Sequence, residues 1–87
     1  MDIKYFIEKF EAEITEIIPG TIKQDTVFKQ LGSWNSMQAL IFIAMVDSEF
    51  GVTLTAENLH DSITVSDLFL LVQEKINHKS QVNSSNL

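Results

Sequence analysis

The stretch from residue 36 to residue 50, SMQALIFIAMVDSEF, constrains the fold of this chain most strongly. Its apolar side chains recur at the three- and four-residue spacing of an α-helix and form two adjacent stripes. A helix with so wide an apolar surface is either surrounded by other elements or presents an apolar patch outward. Gly51 follows it and is a residue type that ends helices. We therefore predict a central helix over residues 36 to 50.

A second helical pattern lies near the start of the chain. Its apolar positions, interleaved with Lys and Glu, are Ile3, Phe6, Ile7, Phe10, Ile14 and Ile17. This pattern predicts an amphipathic helix over residues 2 to 17, which Pro19 and Gly20 would end. Residues 19 to 35 then form a long loop, anchored by apolar side chains of its own and containing one helical turn near Thr26.

The last third of the chain predicts a short helix followed by a longer one. An extended segment leads to Thr55, a suitable N-cap for a helix over residues 56 to 60. Thr64 and Asp67 have the spacing of a capping box ahead of an apolar helix face that ends at Ile76. Each of these segments therefore carries its own start signal.

The fold class that follows is all-α. We predict a small four-helix bundle over residues 1 to 76, with three longer helices, one short helix and a long first loop. Residues 77 to 87 are polar and aperiodic, which predicts a disordered tail. A chain of 87 residues has room for a single domain, and we expect it to be a monomer.

The charge of the chain limits its partners. Twelve acidic residues against six Lys and Arg give a net charge of −6. Nucleic acid and anionic lipid would repel such a surface, so we expect neither as a partner. Protein partners with basic docking surfaces are favoured. The alternative is that the acidity only keeps a small protein in solution.

Three further features bear on location. The longest apolar run, from Ala39 to Val46, is too short to span a bilayer, so no membrane insertion is expected. No basic and apolar signal-peptide pattern is present at the start of the sequence. The absence of Cys fits a reducing compartment. We therefore expect a cytoplasmic protein.

The sequence offers little for catalysis. His60 and His78 are 18 residues apart and no Cys accompanies them, so no metal site is expected. No glycine-rich loop is present to cradle a phosphate. The residues around Ser36 do not form the strained turn that exposes a nucleophilic serine. We therefore expect that the protein is not an enzyme.

Ser36 stands at the mouth of the central helix, where two interpretations compete. In the first interpretation Ser36 is itself the N-cap, since serine and asparagine are both preferred there. If Asn35 is the cap instead, Ser36 becomes the first helical residue and its hydroxyl is free. The unpaired N–H groups and the dipole of a helix N-terminus suit a phosphodiester at that hydroxyl.

The layout resembles the acyl carrier protein family. The resemblance rests on LGSWNSMQALIFIAMVDSEFGVTL leading into ITVSDLFLLV, and it covers roughly residues 3 to 76. The family usually has Asp-Ser-Leu at the start of its second helix and EFG at that helix's end. In this chain WNSM stands at the start of that helix and DSEFGVTL at its end. The motif, the EFG end and the capped last helix occur in the family's order.

The resemblance implies a function without catalysis. Ser36 looks like the residue to which a phosphopantetheinyl transferase attaches 4′-phosphopantetheine from coenzyme A. The thiol of that arm would carry an acyl group as a thioester. The protein would then present the acyl group to acyl-activating, acyl-transfer and synthase enzymes at high effective concentration.

The sequence departs from the family's pattern around this serine. Asn35 replaces the usual Asp and Met37 the usual Leu, and Gln38 and Ile41 stand where the family often has acids. Partner recognition is therefore expected to rely more on apolar contacts at Trp34, Met37 and Ile41. The full set of candidate recognition residues is Trp34, Asn35, Met37, Gln38, Ile41, Asp47, Glu49 and Glu57.

A second set of residues is a candidate cleft for an acyl chain. It comprises Phe42, Ile43, Val46, Leu54, Leu59 and Ile63. The alternative is an ordinary packed core, because large empty voids are costly.

Three functions therefore compete. The first is an acyl carrier for fatty-acid synthesis or a specialised pathway. The second is an aminoacyl or peptidyl carrier, which the net charge of −6 disfavours because such carriers tend to be less acidic. The third is an unmodified helical adaptor that binds a partner through residues 37 to 46.

Overall fold

A computed structural model of the chain describes residues 2–14 and 18–85, with side chains as far as Lys79. Four α-helices occur in this part of the chain, and the first long loop contains a single 3₁₀ turn, Phe28–Gln30. The helices are α1 Ile3–Glu13, α2 Ser36–Phe50, α3 Ala56–Asp61 and α4 Val65–Ser85. The predicted all-α bundle of three longer helices and one short helix is confirmed.

Helix α1 ends at Glu13, four residues earlier than predicted. Ile14 is already extended, with φ −88° and ψ 124°. The sequence that follows is rich in β-branched residues, which form helices less readily. The backbone oxygen of Glu13 accepts a hydrogen bond from Nε2 of Gln38 at 2.6 Å, which satisfies one carbonyl at the helix end. Residues 15–17 of the predicted helix lie outside the described residues.

The long loop is fixed to the helices near its start and in its middle. Oε2 of Glu11 accepts hydrogen bonds from the backbone N–H groups of Gly20 at 2.9 Å and Ile22 at 3.1 Å. Further along, backbone N–H groups of Val65 and Ser66 at the start of α4 donate to loop carbonyls at 3.0 and 2.8 Å. These bonds hold the loop in one position despite its length.

Helix α2 begins and ends where the sequence predicts. Oδ1 of Asn35 accepts a hydrogen bond from the backbone N–H of Gln38 at 2.8 Å, so Asn35 is the N-cap. Gly51 follows the helix with φ 69°, a left-handed conformation that favours glycine. Its N–H donates to the carbonyl oxygen of Asp47 at 3.0 Å.

The two capped starts predicted in the last third are also present. Thr55 and Asn58 form a reciprocal capping box at α3. Thr64 and Asp67 do the same at α4, with bonds of 3.1 and 3.0 Å. These local signals position both helices against α2.

The structure extends α4 past its predicted end. Helix α4 continues to Ser85, nine residues beyond the predicted end at Ile76. No Pro or Gly follows Ile76, so the sequence contains no residue type that stops a helix there. Polar composition alone was therefore not a stop signal.

Aromatic rings form the centre of the core between α1, α2 and the long loop. Phe6, Phe10, Phe28 and Phe42 are fully buried. The ring centroids of Phe10 and Phe42 lie 5.3 Å apart, edge to face. Aliphatic side chains of α3 and α4 close the core from the other side. Among the described residues, none of the helices combines the length and the apolar character that crossing a bilayer requires.

Candidate functional site

Ser36 is the first residue of α2, and its side chain is exposed. Because Asn35 provides the cap, the hydroxyl of Ser36 is not needed for capping. It makes no hydrogen bond to the residues that the structure describes. The prediction that an Asn35 cap leaves Ser36 as a free hydroxyl at the helix mouth is thus confirmed.

The electrostatic surroundings of this hydroxyl favour an anion. The first turn of α2 contains no acidic residue. Unpaired backbone N–H groups and the positive end of the helix dipole face the start of the helix. A negatively charged group there is stabilised by about 0.3–1 kcal/mol through the dipole alone.

An open depression of about 450 Å³ lies directly beside Ser36. Elements from three parts of the chain line it: the 3₁₀ turn, the start of α2, and α3. The lining residues are Lys29, Trp34, Asn35, Ser36, Ala39, Ala56, Leu59 and His60. None of these eight described residues is acidic, although the chain as a whole carries a net charge of −6.

Lys29 and His60 are members of this site that the sequence analysis missed. Nζ of Lys29 donates a hydrogen bond to the backbone oxygen of His60 at 2.6 Å, which joins the 3₁₀ turn to α3. The two residues are 31 positions apart. No local pattern relates them to each other or to Ser36, so only the folded chain brings them together.

Trp34 is half-buried and anchors the segment that leads into Ser36. Its ring lies 5.0 Å from that of Phe28, and it is stacked on Phe10 at 6.2 Å with an interplanar angle of 8°. The indole therefore positions the loop before α2, while part of it faces the depression. Its predicted role in partner recognition remains a prediction.

The outer face of α2 is apolar near Ser36. Met37 is 65% exposed and Leu40 is 61% exposed, and Ile41 and Ala44 are exposed on the same side. The expectation of apolar surface contacts at Met37 and Ile41 matches their placement. Leu40 belongs to the same patch but was not among the candidates.

Gln38 lies elsewhere than the recognition surface to which the sequence analysis assigned it. It is only 3% exposed, and its side chain is directed toward the end of α1. The physical reason is its position on the helix, one turn before Phe42, on the stripe that faces the core. Its amide bonds to a backbone oxygen that would otherwise lack a helical partner.

The acidic candidates are exposed, and Asp47 and Glu49 stand at the far end of α2 from Ser36. Asp47 lies 11 residues beyond Ser36, about 16 Å along the helix axis. Glu49 receives hydrogen bonds from Lys9 at 3.3 Å and from Tyr5 at 3.4 Å. The bond and attraction to Glu49 raise the pKa of Lys9 above its ordinary value. Glu57 is exposed on α3.

Most of the candidate cleft residues form part of the packed core. Phe42, Val46, Leu54 and Leu59 are buried, and Ile43 is half-buried against them. Ile63 differs from the expectation, because it is 61% exposed and lies in the turn before α4. A second, larger open groove, of about 990 Å³, lies between α1 and the loop and does not include Ser36.

Comparison with known proteins decides the family. A model of the phosphopantetheine attachment site matches residues 6–72, which is most of the chain. The chain belongs to this family of carrier domains. No curated protein and no solved structure gives a significant match. Domains of this family bind 4′-phosphopantetheine and are not themselves catalysts.

The residues of this carrier domain fit such a prosthetic group. A covalently bound phosphodiester requires an accessible hydroxyl, and Ser36 provides one that has no competing hydrogen bond from the described part of the chain. The adjoining depression has cationic and apolar walls and no carboxylate among its described residues. His60 has a place in this site, but no group of three potential metal ligands occurs among the residues described.

Proposed function

We propose that this carrier domain is an acyl carrier protein and that Ser36 is its attachment residue. The observation that carries the proposal is the free, exposed hydroxyl of Ser36 at the first position of α2. Ser36 also lies within the matched residues 6–72. The family and the cofactor rest on that match, and the choice of serine rests on geometry.

Ser36 contributes one oxygen atom to the attachment reaction. A transferase would join this oxygen to the phosphorus that bears the pantetheine portion of coenzyme A. The bond from that phosphorus to the adenosine bisphosphate portion breaks, and the serine proton is lost. Once attached, the arm supplies a thiol that carries the cargo as a thioester. The chain itself positions the arm and catalyses no step.

The net charge of −6 supports an acyl rather than an aminoacyl or peptidyl cargo. The half-buried Trp34 and the exposed Asn35, Met37 and Ile41 precede or follow Ser36 and are the proposed contacts for partner enzymes. Asp47, Glu49 and Glu57 would meet basic docking surfaces. We place the pathway in fatty-acid or specialised acyl biosynthesis. The location we propose is the cytoplasm, since a chain without Cys depends on no disulfide.

A second function is favoured by one observation, the apolar outer face of α2. Met37, Leu40 and Ile41 expose apolar surface that a partner helix could cover. In that case the chain would act as an adaptor and Ser36 would remain unmodified.

Intact-protein mass spectrometry separates the two functions. The purified chain is incubated with coenzyme A, Mg²⁺ and a broad-specificity phosphopantetheinyl transferase. We expect the mass of one phosphopantetheine to be added to the parent and to Ser33→Ala, but not to Ser36→Ala. Ser33 is the matched control because it lies three residues earlier in the same segment. A folded parent that gains no mass with several transferases would support the adaptor instead.

A further inference from the structure

The depression beside Ser36 has a charge opposite to that of the molecule. Its described lining contains Lys29 and His60 and no Asp or Glu. The chain as a whole has twice as many acidic residues as Lys and Arg, 12 against 6, so this wall differs in sign from the molecule's net charge of −6. A monoanion attached to Ser36 would lie at the rim of this depression from the moment it is formed.

Lys29 lines the same depression as Ser36 and keeps hydrogen-bond donors for an anion. Its Nζ donates one hydrogen bond to the backbone oxygen of His60 at 2.6 Å, and an ammonium group has three donors. Two N–H donors therefore remain for another acceptor. The pairing with a neutral carbonyl leaves the positive charge of Lys29 uncompensated, since Lys29 has no ion pair with any described residue.

The remaining walls suit the chain that follows the phosphate. Trp34, Ala39, Ala56 and Leu59 provide apolar surface, and the two alanines leave room beside the helix axes. The volume of about 450 Å³ lies within the range of about 300–1,000 Å³ found for small-molecule sites. Pantetheine combines a branched apolar segment with two amides, so it matches walls that are mainly apolar with polar groups at the rim.

We propose that the loaded domain binds its own arm in this depression, with Lys29 and His60 contacting the phosphodiester. Trp34 and the alanine walls contact the pantetheine chain. This inference rests on the proposed attachment at Ser36. The arm therefore has a bound position on the carrier and leaves it when a partner enzyme takes the cargo.

Trp34 makes the test possible, because it is the only Trp of the chain and lines the depression. Unloaded and loaded protein are prepared, and mass spectrometry establishes complete loading. The fluorescence emission and the indole N–H chemical shift of Trp34 are then compared between the two forms. We expect loading to change both signals in the parent.

The variants assign the change to the two basic residues. Lys29→Gln combined with His60→Gln should reduce the loading-dependent change of the Trp34 signals by at least half. Lys29→Arg keeps the positive charge and should therefore retain most of the loading-dependent change. Lys23→Gln is the matched control, because Lys23 is an exposed lysine that lines the other groove. Unfolding curves of every variant check that the fold is kept.

Three results would contradict three different parts of the proposal. A fully loaded parent whose Trp34 signals equal those of the unloaded form overturns the bound position of the arm and leaves attachment intact. A loading-dependent change that is as large in the Lys29→Gln and His60→Gln double variant as in the parent overturns the role of these two residues. A parent that cannot be loaded overturns the proposed function itself.

Discussion

The side chain of Gln38 stabilises a junction between two helices. Nε2 donates to the carbonyl oxygen of Glu13 at the end of α1, while the backbone N–H of Gln38 binds the Asn35 cap. Buried polar groups cost free energy unless they are paired, and here both groups have partners. One residue thus fixes the end of α1 and the start of α2 against each other.

Replacing Gln38 with Ala should destabilise the fold by about 1–3 kcal/mol, because it leaves the carbonyl of Glu13 without its partner. Urea unfolding measures the change. Gln30→Ala is the control, since Gln30 is exposed in the 3₁₀ turn, and it should change stability by less than about 0.5 kcal/mol. Equal stabilities of the two variants would argue against a structural role for the Gln38 amide.

At the scale of the element, α2 has two functions on opposite faces. Its inner face buries Phe42, Met45 and Val46 in the core. Its outer face is apolar around Met37, Leu40 and Ile41 and carries its first charge only at Asp47. A partner that approaches Ser36 therefore meets apolar surface first and acidic surface only at the far end.

Leu40→Asn should weaken loading by a transferase. The KM of the transferase for this variant should rise about fivefold or more, as expected when an apolar interface contact is removed. Leu70→Asn is the matched control, because Leu70 is 60% exposed on α4, outside the lining of the depression. Its KM should equal that of the parent. If both variants behave alike, the outer face of α2 is not where this enzyme docks.

Helix α4 depends on a carboxylate at its start. Backbone N–H groups of Thr64 and Ile63 donate to Asp67 and lower the pKa of its carboxyl from the ordinary 3.8. A carboxyl whose pKa is lowered in the native state stabilises the fold at pH values above its ordinary pKa. This stability is lost as the pH falls through the native pKa.

We therefore expect the free energy of unfolding of the parent to fall more steeply below about pH 5 than that of Asp67→Asn. Urea titrations at several pH values measure it. Asp61→Asn removes an exposed carboxylate that makes no hydrogen bond with the described residues, and its pH dependence should follow the parent's. A parent and an Asp67→Asn variant with parallel profiles would contradict the capping role.

At the scale of the molecule, the buried side chains described on α4 lie in its first half. They are Val65, Leu68 and Val72, and Ile76 still packs partly against the core. Lys79 donates a hydrogen bond to the backbone oxygen of Gly51 at 2.8 Å, through an exposed contact. We therefore expect the core to close without the part of α4 beyond Lys79.

A chain that ends at Lys79 should load as fast as the parent and unfold with a free energy within about 0.5 kcal/mol of it. Its circular dichroism should lose only the signal of the last helical residues. Mass spectrometry and urea unfolding provide the measurements. Slower loading of the shortened chain would assign the end of α4 a part in partner binding.

Much of this molecule follows from neighbouring residues and is therefore predictable from the sequence. Asn35, Gly51, Thr55 and the pair at residues 64 and 67 set helix limits through contacts within a few positions. The free hydroxyl of Ser36 follows from one of these caps. Apolar periodicity then identifies which helix faces meet.

The features that the sequence did not predict depend on distant pairs. The end of α1 is fixed by an amide 25 positions away, and the depression beside Ser36 joins residues 31 positions apart. In these two cases the deciding contact appears only after the chain has folded. The continuation of α4 differs, because polar residues do not by themselves end a helix where no Pro or Gly follows.

The bond between Gln38 and Glu13 also has a mechanical consequence. Ser36 stands two residues before Gln38, so a pull on anything tethered to the serine acts on the first turn of α2. Helix ends fray readily when they are held only by their own backbone bonds. Here the tension passes through the buried amide into α1, and two helices share it. With the arm attached at Ser36 as proposed, this first turn should therefore stay folded while an enzyme draws the cargo away.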